Sequence, residues 1–208
     1  MRGYIRDGRE IYRRSVAIIR READFSGLPT DLEPVAVRIA HASGMVDIIA
    51  DLAFSQHAGE AGRRALESGS PILCDCRMVA AGISRARLPA NNAVACMLDD
   101  PAVSEIARRL ATTRSAAAVE LWRTHLADSV AVIGNAPTAL FHLLEMLRGG
   151  APKPALIIGF PVGFVGAAEA KQELIEDSRG VPFIAIRGRR GGSAMAAAAV
   201  NALAAQSP

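Results

Sequence analysis

An α/β domain built on a parallel sheet is what this sequence predicts, and three observations carry the expectation. Short apolar runs alternate with longer helical patterns along the chain. Three of the runs end in a glycine-rich turn that opens a helix, as strand-to-helix connections do in a doubly wound sheet. A length of 208 residues suits one medium domain, 1–208, able to bury about 70% of its unfolded surface.

The elements follow in order. A helix is expected from about Gly8 to Asp24 and a second from about Leu32 to Ser43, with Gly44 placed to cap it. Pro71 to Cys74 reads as a buried strand and Ala93 to Leu98 as another, with Ser84 to Pro89 a loop between them. Thr113 is a good N-cap for a helix from Arg114 to about Ala127. Ser129 to Ile133 reads as a strand, then Pro137 to Leu147 as a helix. Pro154 to Ile158 and Val181 to Ile186 are strands, each followed by a helix.

Composition narrows the classes. Half the residues are hydrophobic, yet no apolar run reaches the roughly 18 residues of a membrane span. Met1 to Glu10 is polar and charged, without a signal-peptide core, so a soluble cytoplasmic protein is expected. The three cysteines, Cys74, Cys76 and Cys96, match neither a zinc nor a C-x-x-C redox pattern and read as reduced, mostly buried thiols. Of 24 basic residues only Lys153 and Lys171 are lysines, leaving 22 arginines, whose rigid forks suit carboxylates. The pI is near 9.0, but a net charge of +3 and 4% aromatics argue against nucleic acid.

The glycine-rich turns run from Gly134 through Asn135 to Thr138, from Gly159 through Gly163 to Gly166, and from Arg187 through Gly191 and Gly192 to Ser193. All three belong at the carboxyl edge of the sheet, where free helix amides attract anions, so an anionic ligand is expected. Neither G-x-G-x-x-G nor a Walker sequence is present, which disfavours a dinucleotide or flavin oxidoreductase on a similar sheet. His41 falls in the last turn of the second helix, facing the negative end of its dipole, where a proton donor would be favoured. Tyr12 and Ser15 share a stripe with Val16 and Ile19, so two hydroxyls on an apolar face need partners. Arg114 stands at a helix start, while Ser84, Arg85 and Arg87 share one loop, and both places could grip acid groups. Taken singly, each has a bland alternative: a satisfied histidine, core hydroxyls, solvated surface arginines.

Nine ordered stretches together resemble the precorrin-8X methylmutases and their cobalt-precorrin-8 counterparts. They are Tyr4 to Gly8, Ile11 to Ser15, Arg38 to His41, Pro71 to Asp75 with Met78 and Val79, and Arg85 to Pro89. Thr113 to Ala118, Ile133 to Phe141, Gly163 to Ala168 and Arg187 to Met195 complete them. Ser43, Val16 and Ser84 depart from the residues usual in the family, Ser84 keeping a hydroxyl. The resemblance implies a three-layer α/β/α, flavodoxin-like domain with a mainly parallel sheet of about five strands, working as a homodimer. It implies migration of a methyl group from C-11 to C-12 of the corrin ring, giving hydrogenobyrinate in cobalamin biosynthesis. The cobalt-bearing ring, giving cobyrinate, and a tetrapyrrole carrier are the alternatives. His41 is then the proton donor, with Tyr12, Ser15, Ser84 and Arg114 lining the same site. Such a shift calls for no metal or other cofactor, and none is expected.

Overall fold

The structure, a computed structural model, describes residues 3–205; residues 1–2 and 206–208 of the expected domain lie outside them. Helix α1 (Gly8–Glu22) starts where the Asp7 side chain accepts hydrogen bonds from the Arg9 and Glu10 amides. Helix α2 (Glu33–Ser43) has Pro34 in its first turn and ends at Gly44 in the left-handed conformation. A 3-10 turn over Asp47–Asp51 leads into strand β1 (Leu52–Phe54), and α3 (Ala58–Glu67) follows. Next come β2 (Ile72–Cys74), α4 (Arg77–Gly82), β3 (Val94–Ala95) and α5 (Val103–Arg109). The second half alternates strictly: α6 (Arg114–Glu120), β4 (Val130–Ile133), α7 (Pro137–Arg148), β5 (Leu156–Gly159), α8 (Ala167–Glu176), β6 (Phe183–Ile186), α9 (Ser193–Leu203).

The sheet order is β1-β6-β5-β4-β2-β3. Read from β3, the five parallel strands have the 2-1-3-4-5 order of the flavodoxin-like fold. The mainly parallel sheet of about five strands is present, five parallel strands joined by β1 as an antiparallel sixth at the edge beside β6. The expected strand from Ala93 to Leu98 shrinks to Val94 and Ala95.

Side-chain alternation along the buried strands divides the core in two. Ile72, Cys74, Val130, Val132, Ile158 and Ile184 face α2, α3, α4 and α9. Leu73, Ala131, Ile133, Ile157 and Ala185 face α6, α7 and α8. The helix expected to reach about Ala127 stops at Glu120. Beyond it the bonding tightens to i→i+3, with the Trp122 amide on the Val119 carbonyl, and Trp122 and Leu126 turn fully into the second core. Among the described residues no helix is long and apolar enough to cross a membrane.

Candidate functional site

Flavodoxin-like sheets bind ligands where the strand order reverses, here between the carboxyl ends of β2 and β4. Asp75 follows β2 directly and is 1% exposed. Its carboxylate accepts hydrogen bonds from the amides of Gly134 at 2.9 Å, Asn135 at 2.9 Å and Ala136 at 2.8 Å. Burial pushes the Asp75 carboxyl up, while the three amides oppose that shift. The amides expected to receive an anion are thus held by the protein's own carboxylate. Gly134 is required for the fit, since a Cβ there would lie 2.5 Å from the Val79 side chain and 3.0 Å from the Ser193 Cα. Ser193 is buried, with its hydroxyl 3.3 Å from the Cys76 thiol. Cys74, Cys76 and Cys96 are all free, and burial pushes the thiols of Cys74 and Cys96 up.

The cavities that gather the histidine and its neighbours lie on the flank where α2 packs against α9. Arg38, His41, Gly82, Ala194, Ala197 and Asn201 are among the residues around a cavity of about 280 Å³. His41 is exposed, one turn along α2 from Arg38. The Tyr12 ring on α1 meets the His41 ring edge-on, with centroids 5.5 Å apart and an 80° angle between planes. The Arg38 guanidinium sits 5.4 Å from the Tyr12 centroid, a cation–π contact. Tyr12, Arg20, Arg38, Arg87 and Asn201 also line an adjoining cavity of about 370 Å³. The Asn201 side chain accepts from the Ser84 amide at 2.8 Å and donates to the Gly82 carbonyl at 2.9 Å, so it pins the end of α4 to α9.

A further hollow of about 350 Å³ lies at the α9 amino end, between Met45, Met195, Val162, Phe164 and the turn from Arg189 to Gly191. Its walls are mainly apolar, and Phe164 is 83% exposed with the Arg189 guanidinium 5.5 Å from its ring centroid. The flank therefore offers apolar walls, arginines at two rims and an accessible imidazole. These features suit a broad, partly apolar ligand with several carboxylates.

The expected residues divide. His41 and Tyr12 are brought together, Arg87 lines the cavity beside them, and Gly163 and Gly191 border the hollow. Ser15 instead donates to the Ile11 carbonyl of its own helix at 2.9 Å. Ser84 precedes the 3-10 turn Arg85–Arg87 without a side-chain hydrogen bond to it, and Arg85 donates to the Val94 carbonyl at 3.3 Å. Arg114 donates to the Leu98 carbonyl at 3.1 Å, and the Thr113 and Thr138 hydroxyls share a 2.7 Å hydrogen bond. These belong to α6 and α7, across the sheet from α2. Asn135 and Arg187 are exposed at the carboxyl edge, and the Gly192 amide donates to the Phe160 carbonyl at 2.9 Å. Arg38, Asn201, Met45 and Met195 were not singled out from sequence. For Arg38 the signal was present, since it sits three residues before His41.

Fold and geometry define a flavodoxin-like α/β protein with open cavities on a helical flank that bears an exposed histidine. Residues 10–206 match the family model described as precorrin-8X methylmutase. A precorrin-8X methylmutase of Pseudomonas aeruginosa is 66% identical over 201 residues, covering 97% of both chains. One from a Sinorhizobium species is 59% identical, covering 97% of this chain and 96% of its own. A solved precorrin-8X methylmutase from Thermus thermophilus superposes with a TM-score of 0.86 at 42% identity, covering 95% of each chain. The chain belongs to the precorrin-8X methylmutase family.

Proposed function

We propose that the chain is an isomerase that moves a methyl group from C-11 to C-12 of precorrin-8X, giving hydrogenobyrinate in cobalamin biosynthesis. The observation that carries this at the site is the cluster of Tyr12, Arg38 and His41 on a groove with arginines at its rims. A methyl shift around a conjugated ring asks for three things: the ring held in one orientation, its charge matched, and a proton given or taken as conjugation changes. Arg20, Arg38 and Arg87 at one end and Arg189 at the other match the ring's carboxylates. His41, exposed in the groove with its ring set by the edge of Tyr12, handles the proton. Such a donor is worth ~10²–10⁴-fold in rate.

A homodimer in the cytoplasm is part of this proposal. On α1 only Ile19 is buried, while Ile11, Tyr12 and Ile18 are 43%, 41% and 44% exposed. A second subunit over this apolar stripe would cover the ring and exclude water from the migrating methyl. Arg114, Thr113 and Thr138, remote from His41 within one chain, would serve as a separate carboxylate contact. The test is incubation of the purified protein with precorrin-8X, followed by its absorption spectrum and mass. The expected result is a spectral change at constant mass. Tight binding with an unchanged spectrum would make the protein a carrier and end the proposal.

A further inference from the structure

Lys171 on α8 is one of only two lysines in the chain, and it is fully buried, with 0% exposure. A buried ammonium is costly unless something holds it, and here its Nζ donates to the main-chain carbonyl of Arg190 at 2.6 Å. Arg190 lies in the turn between β6 and α9, which forms one wall of the hollow at the amino end of α9.

The turn is fastened from other sides as well. The Arg190 guanidinium pairs with Asp47 at 2.6 Å and with Asp51. The Gly192 amide donates to the Phe160 carbonyl at 2.9 Å, and the Gly163 amide donates to the Arg189 carbonyl at 3.2 Å. No side chain fits at Gly191, where a Cβ would stand 2.4 Å from the Phe160 carbonyl oxygen. Lys171 is the tie that reaches this turn from α8.

We infer that Lys171 is a positioning residue of the substrate site: its grip on the Arg190 carbonyl sets the Gly188–Gly192 turn against the groove and so fixes affinity for the ring without touching it. Burial pulls the Lys171 ammonium down to about 8, against the attraction of Asp51, so holding the charge at this place is costly. The inference rests on the function proposed above only in the identity of the ligand.

The experiment compares the wild-type protein with Lys171→Met, which keeps side-chain volume and removes the donor. Three quantities are read: affinity for hydrogenobyrinate by absorption titration, kcat against KM with precorrin-8X, and hydrogen exchange of the amides in residues 187–192. The expected result is an affinity lower by about tenfold, the scale of one charge-assisted hydrogen bond, with KM raised and kcat unchanged. Exchange in the turn should quicken while that of α2 stays the same. A folded Lys171→Met variant with wild-type affinity, whatever its melting temperature, overturns the inference and leaves Lys171 structural. If Lys171→Met does not fold, Lys171→Leu, which likewise carries no donor, is held to the same comparison. A wild-type protein that binds hydrogenobyrinate without turning over precorrin-8X would defeat the proposed function, while the affinity comparison would still decide the role of Lys171.

Discussion

Removing the Asp75 carboxylate isolates what holds the carboxyl edge of the sheet together. In Asp75→Ala the amides of Gly134, Asn135 and Ala136 lose their acceptor at once; the first bond is buried and the other two are partly buried. A buried N–H without a partner costs about 1–3 kcal/mol, so one in full and two at half weight give about 2–6 kcal/mol. Relief of the buried carboxylate, which the upward push on its titration reports, returns part of this. The expected loss is then about 2–4 kcal/mol, a large share of the 5–15 kcal/mol typical of a folded domain. Asp75→Asn should cost less, about 1–3 kcal/mol, because its amide oxygen can keep Asn135 and Ala136 while only Gly134 faces an N–H₂ group. Urea unfolding followed by far-ultraviolet circular dichroism measures both. A loss under about 1 kcal/mol for Asp75→Ala, or equal losses for the two variants, would refute the view that these three bonds staple the turn.

Four other outcomes are expected. His41→Ala should fold and bind the ring normally, since the side chain is exposed, but lose ~10²–10⁴-fold in kcat; a near wild-type rate at neutral pH would remove His41 from the chemistry. Arg114→Ala should weaken hydrogenobyrinate binding by about 1.5–3 kcal/mol in a titration, and unchanged affinity would leave it a surface residue tied to Leu98. The Lys171 ammonium titrates near 8 in the folded protein against 10.5 for a free side chain, so between those values the unfolded chain holds more protons and stability rises with pH. The gain nears about 3 kcal/mol at the upper end, and Lys171→Met should abolish this component in denaturant titrations at pH 7.5 and 10. Sedimentation equilibrium at micromolar concentration should give a homodimer, whereas a fully active monomer would contradict the covered stripe on α1.

The five parallel strands and helices α1, α2 and α6 to α9 were legible from the alternation of apolar runs and helical patterns, whereas α3, α4 and α5 were not among the expected elements. Strand β1 was not legible either, since its antiparallel edge position is settled only by contact with β6. The end of α6 was missed because Trp122 leaves the helical path to fill the core, which no local propensity records. At the site, His41 and Tyr12 could be named from helix position and an apolar stripe. Their edge-on contact depends on how α1 crosses α2. The glycine turns were rightly placed at the sheet's carboxyl edge, but one of them had its amides already taken by a carboxylate about 60 residues earlier in the chain. The cavity wall on α9 gave no signal either, because a run of alanines looks like ordinary helix.

That wall has an entropic side. Ala194, Ala197 and Ala198 carry no rotatable side-chain bonds, and the one amide among them, Asn201, is already tied at both ends. Ordering long side chains around a ligand costs about 0.5–1.5 kcal/mol each, and this surface has almost none of that disorder to lose. On this side of the cavity a ligand would meet a preset face, so the cost of ordering falls on the arginines opposite, and a methyl added at Ala194, Ala197 or Ala198 would narrow the cavity with no side chain able to swing aside.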